Sequence, residues 1–171
     1  SEQLVVNRWT APVEAFVPIP EYTSPIKSVC IENLHSEDLD FTNNQEVVLA
    51  HETEKRKADQ IVKDGFKPTN EEMSSLRDRA VFGWLNEQDI GYYTKKSDPS
   101  CDTVVLFEAP EKRVYVSSYS SSAYLLGIGD ISPNEYEREH VMKYTEFKEM
   151  VLNKSSLIDH LDYDTTTFLN I

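Results

Sequence analysis

Side chains suited to catalysis or metal binding are few in this chain, and their spacing excludes several common kinds of site. The histidines are His35, His51, His140 and His160, and the cysteines are Cys30 and Cys101. They form no Cys-x-x-Cys or His-Glu-x-x-His pattern, so the sequence predicts no metal site and disfavours a zinc deaminase. No phosphate-binding loop, dinucleotide-binding glycine pattern or Gly-x-Ser-x-Gly elbow is present either. His51 is the most informative of these side chains because it directly follows a predicted strand.

A strand–turn–helix unit is predicted from Glu46 to Pro68 and places His51 at its corner. Val47 to Ala50 is a short apolar run rich in β-branched residues, which is typical of a buried strand. Thr53 is expected to cap the following helix, and Gly65 is expected to end it. The narrow apolar stripe of that helix consists of Ala58, Ile61 and Val62. A purely structural unit with an exposed histidine would have the same pattern.

This unit resembles the opening of ADP-ribosyltransferase-like domains. Many of these domains begin with a strand that ends in His-Gly-Thr or His-x-Thr, followed by a helix that ends in Ile-x-x-x-Gly-Phe. The matching residues here are His51-Glu52-Thr53 and Ile61-Val62-Lys63-Asp64-Gly65-Phe66. The resemblance implies an enzyme that cleaves NAD and transfers ADP-ribose to an acceptor. That acceptor could be a protein, a nucleic acid or a small molecule.

The next predicted strand has an aromatic residue at a position where the family often has tyrosine. The segment from Arg79 to Trp84 is similar to the Gly-Val-Tyr-Phe strand of these domains, with Phe82 at the tyrosine position. The resemblance therefore implies an aromatic wall for nicotinamide that lacks the tyrosine hydroxyl. Tyr92 and Tyr93 are further candidates for this wall. Ordinary core packing is the alternative role of Phe82 and Trp84.

A carboxylate is the other group that the implied reaction requires. Cleavage of the nicotinamide–ribose bond passes through an oxocarbenium-like transition state, which a nearby carboxylate stabilises. Related transferases place this glutamate at the start of a late strand, and the candidates here are Glu139 first, then Glu137 and Glu135. A solvated acidic surface is the alternative. The resemblance thus implies NAD as substrate without a metal, catalytic roles for His51 and Glu139, and NAD contacts for His51, Thr53, Phe82 and Tyr92.

A serine-rich segment points to a different branch of the same superfamily. Five of the six residues from Ser117 to Ser122 are serine. Some members carry a Ser-Thr-Ser strand in the site, but those members open with arginine, which conflicts with the implied role of His51. A hydroxyl-rich strand end followed by a turn explains the serines without a site.

Charge and composition leave two other classes of function open. The chain has 171 residues, 39% of them hydrophobic, and a net charge of −13, which disfavours direct nucleic-acid binding through a basic surface. One alternative is a non-enzymatic acidic interaction protein, such as an inhibitor or nucleic-acid mimic. Another is a degenerate transferase fold that binds a ligand or protein partner without turnover. Two local basic clusters, Lys55 to Lys57 and Arg77 with Arg79, suit a phosphorylated small molecule.

The expected location is cytoplasmic. No apolar run approaches the length of a membrane span. The first residues lack the basic segment and apolar core of a signal peptide. Two cysteines do not make a disulfide framework, so a reducing compartment is the simpler assumption.

The expected fold is a single α+β domain of the ADP-ribosyltransferase-like kind, with a mixed or mostly antiparallel sheet and short helices. Residues 1–45 are expected to form an extended proline-rich arm on a domain of residues 46–171. The spacing of Pro12, Pro18, Pro20 and Pro25 argues against a helix and a central strand there. Thr103 to Glu108 is the clearest strand, and Arg113 to Tyr119 is expected to form a hairpin with it. A strand from Glu139 to Tyr144 and a helix capped by Thr145 follow.

Overall fold

The structure is a computed structural model that describes residues 13–18, 20–39, 45–67, 80–91, 99–118 and 141–152, and one antiparallel sheet lies at its centre. Within these residues the strands are β1 (Val13–Pro18), β2 (Ser24–Cys30), β3 (Glu46–Thr53), β4 (Ala80–Trp84), β5 (Thr103–Pro110), β6 (Tyr115–Ser118) and β7 (Val141–Lys143). The α-helices are α1 (Lys55–Asp64) and α2 (Tyr144–Leu152). The strand order is β2-β5-β3-β4-β1-β6-β7, and every neighbouring pair is antiparallel. The prediction of a single α+β domain with an antiparallel sheet is confirmed.

The sheet buries both of its faces. β5 shows this directly, because Val104 to Phe107 are all at most 1% exposed. Successive side chains of a strand point to opposite faces, so these residues contribute to two apolar clusters. We call the side that carries Leu49, Val81, Phe107, Val116 and Phe147 the Phe107 face. We call the side that carries Val48, Ala50, Trp84, Leu106 and Ile90 the Trp84 face.

The first 45 residues contribute strands to the sheet. β1 lies between β4 and β6 and pairs with both, so the expectation that the prolines exclude a central strand is wrong. Pro18 is tolerated because it is the last residue of β1. Pro25 is tolerated because β2 is an edge strand whose register shifts between Pro25 and Lys27. The described strands of residues 1–45 therefore belong to the same sheet as the later ones and do not form an arm laid over it.

The predicted hairpin between the strand at Thr103 and the strand at Arg113 is also wrong. β5 pairs with β2 on one side and β3 on the other, so neither side is open to β6. After a 3-10 turn the chain instead crosses the sheet, and β6 pairs with β1 and β7.

The last strand and helix are close to the predicted ones. β7 ends one residue before the end of the strand predicted from Glu139 to Tyr144, because Tyr144 already begins α2. Thr145 therefore lies inside this helix and does not cap it.

Candidate functional site

The predicted strand–turn–helix unit is present, with one change at its corner. β3 continues through His51 to Thr53, and Gly65 ends α1 as predicted, with φ +83° and its N–H donating to the Ile61 carbonyl at 2.7 Å. Thr53 does not cap the helix: Glu54 is the N-cap residue, and its side chain makes no capping hydrogen bond. Thr53 is instead a buried strand residue paired with Thr103, because the eight-residue pairing of β3 with β5 extends the strand beyond the apolar run.

β3 and β4 meet at a short junction. Whereas β3 pairs with β5 along its whole length, it pairs with β4 only at Ala50 opposite Trp84. Gly83 explains how closely the strands approach here: an added Cβ would lie 3.1 Å from Leu49 Cβ and 3.2 Å from the Ala50 carbonyl oxygen. A larger residue would have to displace main-chain atoms of β3, so glycine suits this position.

The His51 side chain crosses this junction. Its Nδ1 lies 2.7 Å from the carbonyl oxygen of Phe82. Because a carbonyl oxygen can only accept, Nδ1 carries a proton in this contact, and in the neutral form of the ring Nε2 is then the acceptor nitrogen. The ring also meets Phe66 edge-on at 5.3 Å, and Phe66 meets Phe107 at 5.0 Å. His51 is therefore half-buried, and these contacts orient its ring.

The ring of Phe82 lies on the other side of the sheet from His51. Phe82 is 6% exposed and packs against Phe16 at 5.3 Å, and Phe16 stacks on Tyr115 at 5.5 Å. These three residues are neighbours in the strand register, and they share the side of the sheet that carries Trp84. The structure thus brings His51 to the main chain of Phe82, while the aromatic ring is part of the core on the Trp84 face.

The remaining predicted site residues lie outside the described residues. This applies to Tyr92, Tyr93, Glu135, Glu137 and Glu139, whose roles stay predictions. β7, which begins shortly after Glu139, is separated from β3 by β4, β1 and β6. Of the serine-rich segment, Ser117 and Ser118 are the part that the structure describes, and they end β6.

Two glutamates near the junction were not identified from the sequence. The Glu52 carboxylate accepts a hydrogen bond from the Gly91 N–H at 2.6 Å. Glu14 is only 9% exposed and lies in β1, opposite Trp84 of β4. A buried carboxylate is costly unless it is paired or functional. The alternation Val-Glu-Ala-Phe-Val could have indicated Glu14, but only once residues 13–17 were recognised as a strand.

The basic cluster at Lys55 to Lys57 is exposed in the first turn of α1. Lys55 forms an ion pair with Asp59 at 2.9 Å, and this pair raises the pKa of Lys55. Exposed pairs of this kind contribute little to stability. Positive side chains at a helix N-terminus also oppose the helix dipole, so stability does not explain the cluster.

Two neighbouring carboxyl groups lie at the other end of β3, those of Glu46 in β3 and Glu108 in the adjacent strand β5. Burial, followed by a hydrogen bond to Glu46 and the charge of that carboxyl, raises the pKa of Glu108. Because the pKa of Glu108 is higher in the folded than in the unfolded protein, the protonated carboxyl contributes to stability at pH values below its ordinary pKa. This contribution is lost as the pH rises through the pKa of the folded state. The pair therefore destabilises the sheet at neutral and alkaline pH.

Glu108→Gln is expected to raise the melting temperature at about pH 8 and to leave it unchanged at about pH 4, because glutamine stays neutral and can still bond to Glu46. Thermal unfolding followed by circular dichroism across this range measures the difference. Glu21→Gln, at an exposed glutamate, is the control. A gain that is equally large at both pH values would show that ionisation of Glu108 is not the cause.

In the part of the chain that the structure describes, no group of three or more His, Cys, Asp or Glu side chains could hold a metal ion. No helix among the same residues has the length and apolar character needed to cross a membrane. Comparisons with models of protein families, with curated protein sequences and with solved structures found no match.

Proposed function

We propose that this protein is an ADP-ribosyltransferase-like enzyme that uses NAD as substrate and transfers ADP-ribose to an acceptor molecule. The observation that carries the proposal is the fixed orientation of His51 at the β3–β4 junction. Its Nδ1 is bound to the Phe82 carbonyl at 2.7 Å, within the strand–turn–helix unit whose sequence resembles the opening of these enzymes. A histidine held in one tautomer is suited to bind a substrate hydroxyl through its other nitrogen.

His51 would orient the ribose and would not attack it. Nε2 of the neutral imidazole accepts a hydrogen bond from a ribose hydroxyl, which fixes the sugar relative to β3. The bond between nicotinamide nitrogen and ribose carbon then breaks, and its electron pair leaves with nicotinamide. The acceptor forms the new bond to the same carbon and loses a proton. A carboxylate stabilises the positive charge that develops on the ribose.

Glu139 is the candidate for this carboxylate, and it is proposed from the resemblance. Glu14 is buried, but it is opposite Trp84 and points to the Trp84 face, whereas the His51 ring packs on the Phe107 face. Glu14 is therefore on the wrong side of the sheet to act on a ribose that His51 holds. Replacement of Glu139 by glutamine keeps the size of the side chain and removes its charge.

The test of the proposal is NAD binding and nicotinamide release by the purified protein. Calorimetry measures binding, and chromatography of the reaction mixture measures release. We expect binding with slow release, and loss of release in Glu139→Gln. Binding without release would indicate a degenerate transferase fold, for which the buried Phe82 without a hydroxyl is the supporting observation. No binding at millimolar NAD would contradict the proposal.

A further inference from the structure

Two neighbouring side chains of β3 reach across the junction to the chain segment that forms and follows β4. His51 bonds to the Phe82 carbonyl at 2.7 Å, and Glu52 bonds to the Gly91 N–H at 2.6 Å. Because adjacent residues of a strand point to opposite faces, one bond lies on each side of the sheet. They stand where β3 and β4 share only the Ala50–Trp84 position. The side chains thus supply contacts that a longer main-chain pairing would otherwise provide.

The Glu52 bond secures a segment that packs back onto the sheet. After Trp84 the chain makes a 3-10 turn, and Leu85, Asn86, Asp89 and Ile90 are all buried. Gly91 has φ +86°, a conformation that favours glycine and aims its N–H at the Glu52 carboxylate. A carboxylate that accepts an amide hydrogen at this short distance forms one of the stronger hydrogen bonds in proteins. The return of the chain to β3 is therefore fixed at Glu52.

We propose that Glu52 is a positioning residue for His51. By holding the segment after β4 against β3, its carboxylate keeps β4 at the distance at which the Phe82 carbonyl can bind His51 Nδ1. That hydrogen bond selects the tautomer with Nε2 as acceptor. The effect of Glu52 on NAD binding rests on the function proposed above, whereas its effect on the His51 ring does not.

The test compares Glu52→Ala and Glu52→Gln with wild-type protein. The glutamine keeps an oxygen that can accept from Gly91, and the alanine does not. We expect the ¹⁵N resonances of the His51 imidazole in Glu52→Ala to move towards a mixture of tautomers, and the KM for NAD to rise about tenfold. Glu52→Gln should resemble wild type in both measurements. Glu32→Ala, at an exposed glutamate outside the junction, is the control.

Unchanged His51 resonances in Glu52→Ala, with only a lower melting temperature, would overturn the inference and leave Glu52 a structural role. Glu52→Asp provides a second variant if the alanine variant does not fold, because its carboxylate is one methylene shorter. Glu52→Asp should show the same changes as Glu52→Ala. If the His51 imidazole resonances of Glu52→Asp equal those of wild-type protein, the inference is overturned. If wild-type protein fails to bind NAD, the proposed function is wrong, and the imidazole resonances still decide whether Glu52 positions His51.

Discussion

His51→Ala is expected to reduce nicotinamide release by about 10²- to 10³-fold, the usual effect of removing one preorganised hydrogen-bonding group from an active site. The variant loses the nitrogen proposed to bind the ribose, together with the ring that meets Phe66 and the Phe82 carbonyl. Its fold should persist, because loss of a single half-buried hydrogen bond costs only about 1–3 kcal/mol. Initial rates of nicotinamide release, measured with circular dichroism spectra of the same samples, separate the two effects.

The matched control is His35→Ala, because His35 is exposed and lies away from the junction. It should release nicotinamide at the wild-type rate. Equal rates in both variants and in wild type would remove His51 from the mechanism. Equal losses in both would point to a general effect of the substitutions.

Phe107→Ala is expected to lower the free energy of unfolding by about 3–5 kcal/mol. Phe107 is 0% exposed at the centre of its face, and its ring packs edge-on against Phe66. The substitution removes the apolar contacts of the ring and leaves a cavity that the strands on either side can fill only in part. Because folded domains are stable by only about 5–15 kcal/mol, this is a large share of the total. Urea titration followed by tryptophan fluorescence measures the change.

Val62→Ala is the control for this measurement. Val62 lies on α1 and is 38% exposed, so its replacement should change the unfolding free energy by less than about 0.5 kcal/mol. A loss below about 1 kcal/mol in Phe107→Ala would mean that the Phe107 face repacks freely, contrary to the close contacts around Gly83 and Phe107.

Local patterns of sequence predicted the parts of the fold that depend on local interactions. The strand at Val47, the end of α1 at Gly65 and the doubly buried strand at Val104 each follow from neighbouring residues, and the structure confirms them. The position of β1 does not follow in this way, because its partners lie at residues 80–84 and 115–118. The spacing of the prolines argues against a central strand, but Pro18 is the last residue of β1, where no further pairing is needed.

For the candidate site too, the sequence predicted individual residues and not the contacts between distant parts of the chain. The sequence indicated His51 and the strand that carries Phe82, but not that the imidazole would bind the Phe82 main chain. That contact depends on the single paired position between β3 and β4, which is set by Gly83 and by the strands on either side. Glu52 was overlooked for the same reason, since its partner Gly91 is brought near only when the chain returns after β4.

The central place of β1 has a consequence for how the chain folds. β1 leaves the ribosome before both of its partners, β4 and β6, and β2 leaves it before its partner β5. Strand pairings between residues far apart in sequence form slowly, because the intervening loop must close before any contact is gained. Until then the apolar residues of β1, such as Phe16 and Val17, have no complete sheet to cover them. The nascent chain therefore passes through a period in which chaperone binding and aggregation compete with folding.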